Sequence, residues 1–358
     1  MKLTQQQEAQ YEELRRAKER VEDSFIGRNG VVGMGVGFKE RTGAQTDELA
    51  IRFYVKDKRA IENAGVLPAT IEGHPVAIIE ADFQSNAQTE LADEVEQAPE
   101  VGPDKGRYNP LLGGISIAPS RLEGSAGTLG ILVKDGGGTD VMMLSNYHVM
   151  CLADGNAKKD DEICQEARSD NAFGWCGNCS KLVRWRVENV KIDGVSYGID
   201  AAVAKLTARK ASIGSIEGIG KVSGAGTAKV CMRVWKRGRT TRLTSGVVED
   251  VVAAVVEDFG AGIGEVILRN QIIVVGEREG EKFTQGGDSG SVYVDKATKA
   301  VVALHWSGTT GGRSVGSPIA AVLNALNVTI STEEDAGGRP DSSTDPLQVT
   351  QSGVQDGS

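Results

Sequence analysis

From Arg107 onward the chain is a succession of short apolar runs: GTLGILVKD, VMMLS, IDAAVAKL, VCMRVWK, GVVEDVVAAVV, EVILRNQIIVV, SVYVD and AVVALHW, punctuated by glycine and polar residues. Repeated strand-length runs with turn signals between them and scant helical pattern confine this region to an all-β barrel or sandwich. One apolar stretch near the end, Ile319–Leu326, reads as helical. Ahead of the strand-rich region the pattern differs. Residues 4–24 combine good helix formers with dense charge and few apolar positions, as in a surface or partner-binding helix. Val31 to Lys39 and Glu48 to Val55 alternate apolar and polar residues, a helical stretch follows near Arg59–Ala64, and Val76–Glu80 reads as a strand. The expected organisation is a helix plus small α+β module over 1–83, an acidic Pro- and Gly-bearing linker over 84–106, an all-β domain over 107–330 and a disordered acidic tail over 331–358.

Charge narrows the function. The net charge is -9, yet residues 331–358 hold six acidic and one basic side chain and residues 81–106 hold seven and one, so the remainder stands near +2. Acidity therefore belongs to the linker and tail, and no clustered basic face marks a nucleic-acid partner. The N-terminus MKLTQQQEAQYEELRRAKER is charged throughout and no run of 18 apolar residues occurs, so neither a membrane span nor a secretory signal is expected and the location expected is cytoplasmic. Five cysteines, Cys151, Cys164, Cys176, Cys179 and Cys231, then default to reduced thiols, with a structural zinc site on Cys151, Cys164, Cys176 and Cys179 as the alternative. Gly33-Met34-Gly35-Val36-Gly37 suggests a dinucleotide loop, but Phe stands at 38 and no helix opens there, so the run reads as a glycine-bearing strand.

The chemistry concentrates in three places. Gln285-Gly286-Gly287-Asp288-Ser289-Gly290-Ser291 is a glycine-rich turn leading into a strand, and alone it is merely a turn. His148 closes an apolar strand in Leu144-Ser145-Asn146-Tyr147-His148-Val149, and Asp200 heads the buried-strand run Ile199-Asp200-Ala201-Ala202-Val203, where an unpaired carboxylate would be costly. Asp193, in KIDGVS, is the rival acid, within what reads as a turn. The order His, Asp, Ser and the serine at 291 exclude an α/β-hydrolase, which would run Ser, acid, His and carry GxSxG.

Together SNYHV, GIDAAV and GGDSGS resemble the three catalytic boxes of the chymotrypsin-like serine peptidases, over roughly residues 107–330. GGISI, AGTLGILV, LSNYHV and KRGRTTRLTSGVV are further similar to bacterial and plant intracellular trypsin-like peptidases of the narrow-leaf type. The resemblance implies a double six-stranded β-barrel with a C-terminal helix. It also implies Ser289 as nucleophile, His148 as base and acid, Asp200 behind the imidazole, and the amides of Gly287 and Ser289 as oxyanion hole, with no cofactor. The substrate implied is a protein or peptide. A basic primary residue is disfavoured, because Phe occupies position 283, six before the serine. LHWSG resembles a segment of glutamyl endopeptidases, so Thr284, His305, Trp306, Ser307 and Gly308 are the candidate substrate-binding residues, with Glu or Gln before the scissile bond. The Glu-rich stretch at 90–100 is then a candidate self-cleavage segment. The alternative is a binding or scaffold protein of the same fold whose cleft is blocked by the N-terminal module or its helix, and residues 1–106 also fit a folding or inhibitory pro-segment.

Overall fold

In the computed structural model, which describes residues 2–41, 44–85, 102–122, 124–151, 155–207, 209–260, 262–278 and 280–331, the chain opens on helix α1 (Gln5–Phe25). Thr4 caps it: its hydroxyl accepts the Gln7 N–H while the Gln7 side chain accepts the Thr4 N–H, which satisfies donors that a helix start otherwise leaves open. Strands β1 (Val31–Arg41) and β2 (Ala44–Val55) form a hairpin, followed by α2 (Lys58–Ala64), β3 (Thr70–Ile71), β4 (His74–Glu80) and β5 (Phe83–Ser85). Tyr11, Leu14 and Ala17 of α1 bury against Val36, Phe38 and Phe53, so its apolar face is occupied within the chain. The glycines of GMGVG leave one side of β1 bare for buried charge. A Cβ on Gly35 would stand 1.9 Å from Asp250 Oδ2, and one on Gly37 would stand 2.6 Å from the Arg52 guanidinium carbon.

After β6 (Leu111–Gly113), the first barrel uses β7 (Ile115–Pro119), β8 (Gly127–Leu129), β9 (Ile131–Asp135) and β10 (Val141–Ser145), the one-turn helix α3 (Tyr147–Met150), then β11 (Glu162–Cys164), β12 (Asn178–Ile192) and β13 (Val195–Leu206). Pairing runs β9-β10-β13-β12-β11-β7-β8. Because β8 and β9 are one strand interrupted at Gly130, this path closes into a six-stranded barrel. Leu129, Leu132, Met143, Leu182 and Ala204 fill it without exposure.

Strands β14 (Ala211–Ile216) and β15 (Gly220–Lys221) join β6 in a small sheet between the barrels. The second barrel consists of β16 (Arg233–Gly238), β17 (Arg242–Asp258), β18 (Glu265–Gly276), β19 (Val292–Asp295), β20 (Val301–Thr309) and β21 (Ser314–Pro318). Its order β16-β19-β20-β21-β18-β17 returns to β16, again six strands. Helix α4 (Ile319–Leu326) then packs on β12, β13 and β20, and β22 (Val328–Thr329) ends on β9. The fold is thus all-β, a chymotrypsin-like double barrel with a terminal helix, preceded by the α+β module. Among the described residues no helix is long and apolar enough to cross a membrane.

The module is continuous with the second barrel, since β1 pairs with β17 through Gly33↔Val255 and Met34↔Ala254. A buried ion pair binds it further: Arg52 reaches Glu249 at 2.9 Å, a carboxylate that Arg313 of the second barrel also meets at 3.0 Å. At the end of the expected linker, Asp104 pairs with Arg237 and its N–H donates to Arg239 O at 2.7 Å. The rest of the linker, 86–101, with its candidate self-cleavage segment, and the tail from 332 lie outside the described residues.

The cysteine expectation is corrected. Cys164 and Cys176 form a disulfide, rather than standing as thiols or joining a four-cysteine zinc site. The CxxC straddles the start of β12, so Cys179 turns inward beside Met143 and the Ile163 carbonyl while Cys176, outside the strand, meets Cys164. Among the described residues no group of three or more His, Cys, Asp or Glu is placed to hold a metal ion.

Candidate active site

His148 sits on α3 at the end of β10, and Asp200 on the adjacent strand β13. Asn146 fastens the junction, its Nδ2 donating to Asp200 O at 2.8 Å. The Asp200 carboxylate is fully buried and meets three donors: Tyr147 N at 2.8 Å, His148 N at 3.3 Å, and His148 Nδ1 at 2.5 Å. Those bonds answer the cost of burying it, and they hold the ring proton on Nδ1. The lone pair of Nε2 is then left free. That atom is buried with no hydrogen-bond partner among the described residues. The rival acid, Asp193, has φ +50° beside Gly194 at φ +82°, which makes it the hairpin turn joining β12 and β13.

Ser289 lies on the turn before β19. Gly287 (φ +89°) and Gly290 (φ +92°) both occupy backbone space that L side chains avoid. A Cβ at 290 would meet Ser145 Oγ at 2.1 Å and Thr128 O at 2.2 Å, so this turn of the second barrel is seated directly on the first. Thr128 N donates to Ser289 O at 2.8 Å, and the Thr128 hydroxyl donates to Gly287 O at 2.9 Å. Ser145 is three residues before His148 in the chain. The neighbouring amides of Asp288 and Gly290 are satisfied by Gln285 O and His305 O, whereas those of Gly287 and Ser289 have no acceptor among the described residues. Ser289 Oγ itself donates to Trp306 O at 3.5 Å and not to His148. Ser289 and His148 are each 1% exposed.

The turn is anchored through Asp288. Its carboxylate accepts from Thr240 N at 2.9 Å, Thr241 N at 3.1 Å, the Thr241 hydroxyl at 2.6 Å and Gln285 N at 3.0 Å, and it pairs with Lys236 Nζ at 2.9 Å. Neither side chain of the ion pair is exposed at all. Burial works to raise the Asp288 pKa, but the Lys236 charge and the Thr241 hydrogen bond outweigh it and hold the carboxyl below its usual value. From the same hairpin, Arg239 forks onto Asp170, which the first barrel supplies and which also accepts from Ser116 Oγ.

Of the candidate substrate-binding residues, Thr284 shares a 2.5 Å hydrogen bond with Ser314 Oγ. His305 Nδ1 lies 3.0 Å from Val315 O and 2.8 Å from Tyr293 Oη. Nδ1 can therefore donate to the Val315 carbonyl or accept from the Tyr293 hydroxyl, while Nε2 is buried without a partner among the described residues. Burial, the largest influence, pushes the His305 pKa down to about 3, so the ring is neutral. Trp306 does not offer its ring to a ligand: it is buried, with Nε1 donating to Gln271 Oε1 at 2.7 Å, and its carbonyl faces Ser289. Ser307 and Gly308 pair with Ser85 and Gln84 of β5.

Solved structures of serine proteases resemble this chain. A glutamic-acid-specific serine protease that uses a histidine triad in substrate binding is 22% identical with a TM-score of 0.43, the match covering 62% of this chain and all of that one. Nocardiopsis protease matches at 16% identity and TM-score 0.43, over 62% of this chain and 98% of its own. Cellulomonas bogoriensis chymotrypsin matches at 18% and 0.41, over 62% and 98%. No protein-family model and no curated protein matches the sequence. At these identities and scores the likeness says nothing of what this chain acts on.

The polar turn residues of KRGRTTRLTSG between two strand patterns read as a barrel hairpin, and β16 and β17 form it, with Lys236 opposite Thr244. The run itself does not say what the hairpin holds. The signal was Asp288: an acid inside an otherwise small and apolar turn asks for a cation, and Lys236 is in the most basic strand of the barrel.

Proposed function

We propose that the chain is a serine endopeptidase with Ser289 as nucleophile, His148 as general base and acid, and Asp200 as the residue that orients the imidazole. One observation carries the reading: Asp200 fixes the proton on Nδ1 of a buried histidine whose Nε2 has no partner among the described residues, while a serine on a glycine turn is seated against the residues leading to that histidine. In the reaction Ser289 Oγ attacks the peptide carbonyl carbon as its proton passes to Nε2. The developing oxyanion is met by the open amides of Gly287 and Ser289, each worth roughly two to three orders of magnitude in rate. The carbon–nitrogen bond then breaks with the proton delivered to the leaving amine, and water attacks the acyl-enzyme by the same route. Attack requires Ser289 to exchange its 3.5 Å contact with Trp306 O for Nε2, a tightening expected when substrate binds. A fluorophosphonate should label the protein at Ser289, and Ser289→Ala should abolish the label. Labelling that survives in Ser289→Ala, or its absence in the native protein, would dismiss the assignment.

The primary pocket favours glutamine over glutamate. We infer that the ring proton of the neutral His305 lies on Nδ1, toward the Val315 carbonyl; Nε2 then accepts hydrogen bonds, which suits an amide N–H and opposes a carboxylate, while the Thr284 and Ser314 hydroxyls can donate to the amide oxygen. Otherwise identical peptides with Gln or Glu before the scissile bond are expected to differ by about tenfold or more in kcat/KM at pH 7. The gap should narrow as pH falls toward about 4.3, where the glutamate becomes a neutral donor. A Glu preference at pH 7, or a ratio indifferent to pH, would remove this pocket assignment.

A further inference from the structure

The edge of β20 beside Ser289 is already occupied. One edge of this strand pairs with β21 through Gly308, which leaves the opposite edge for everything else. Along that opposite edge β19 covers Val301 to Leu304, and the nucleophile turn follows, with Gly290 N donating to His305 O and His305 N donating to Ser291 O. Beyond them comes β5, with Ser307↔Ser85, Gly308↔Gln84 and Thr309↔Phe83. Because the pairing is antiparallel, the chain runs from Phe83 to Ser85 toward Ser289. It is an extended segment hydrogen-bonded to an open strand edge and directed at the nucleophile, which is how a peptide adds itself to a sheet.

Side chains hold this segment from outside the cleft. Phe83 is buried, its ring set edge-on to Tyr54 of β2 at 5.4 Å, whereas the Gln84 side chain is exposed, its Nε2 donating to Asp82 Oδ2 at 2.7 Å. Where the described chain resumes, it is fastened on the other side of the turn: Gly102 O accepts from Arg242 Nε at 3.0 Å, and Asp104 is held by Arg237 on the hairpin that anchors Asp288. Both attachments are to second-barrel strands that flank the nucleophile turn.

We propose that Phe83–Ser85 is a tethered competitor, a strand of the chain's own that a peptide must displace from β20 before it reaches Ser289. This rests on the reading of Ser289 as nucleophile. A tethered segment competes at an effective concentration in the millimolar range, so its release should be felt by any ligand that needs the same edge.

The test uses full-length protein and a fluorescent peptide of residues 80–87, EADFQSNA, in the Ser289→Ala background. Gln84→Pro removes a backbone N–H from the segment, and Gln84→Ala keeps it. Gln84→Pro should bind the peptide at least about fivefold more tightly than the parent, and Gln84→Ala should match the parent. Phe83→Ala, which removes the ring seated on Tyr54 and keeps every backbone donor, should also tighten binding, and it decides the matter should the proline variant not fold. Equal peptide affinity in parent, Gln84→Pro and Phe83→Ala would overturn the proposal. Fluorophosphonate labelling of the same variants with Ser289 restored is read separately: absence of label throughout removes the nucleophile, while the binding comparison still decides the strand.

Discussion

Asp200→Asn should lower peptide hydrolysis by about four orders of magnitude while leaving the fold in place. The reason lies in which oxygen does what. Oδ1 accepts the N–H groups of Tyr147 and His148, and Oδ2 faces His148 Nδ1. An asparagine must keep its oxygen under the two backbone N–H groups, because an amide nitrogen there would confront two donors. Its NH2 then faces Nδ1 and donates to it, which drives the ring proton to Nε2. The base loses the lone pair that would take the proton from Ser289. Size and hydrogen-bond count are nearly conserved, so the melting temperature should change little. Histidine tautomers can be read by nitrogen NMR beside the steady-state rates. A loss of less than tenfold, with the tautomer shifted as described, would remove His148 from proton transfer.

What could be read in advance follows from which interactions are local. The strand runs, the helix at Ile319–Leu326 and the residues His148, Asp200 and Ser289 are properties of short windows, and each window states its own period or turn. The barrels themselves depend on pairing across long separations, as when β16 meets β19 through Val234↔Asp295. No window around Gly33 says that β1 will lie on β17. The cysteines misled because CxxC spacing assumes both sulfurs face one way, and the start of a strand at Asn178 turns Cys179 inward instead. What His305 bonds to was not legible, since its Nδ1 meets the Val315 carbonyl and the Tyr293 hydroxyl on neighbouring strands. Phe83–Ser85 is too short to show alternation, and its place beside Ser289 is set by the open edge of β20 rather than by its own sequence.

Lys236→Met should destabilise the protein by about 3–5 kcal/mol, because it leaves the Asp288 carboxylate buried without its counter-charge. The damage should extend to catalysis, since the residue that loses its anchor sits between the two glycine-bounded amides assigned to the oxyanion. Asp288 in the native protein has a depressed pKa, so its contribution to stability is complete above the unfolded value of about 3.9 and is lost as pH falls through the folded value. Without Lys236 the cost of burial is opposed only by the Thr240, Thr241 and Gln285 donors. The folded pKa must then rise, and acid unfolding should begin at a higher pH than in the native protein. Removing the charge as well, in Lys236→Met with Asp288→Asn, should recover much of the stability, because a neutral amide needs no cation. Melting temperatures of the three proteins between pH 3 and pH 8 separate these expectations. If the single variant melts as the native protein does across that range, the Lys236–Asp288 pair is not what holds the nucleophile turn in shape.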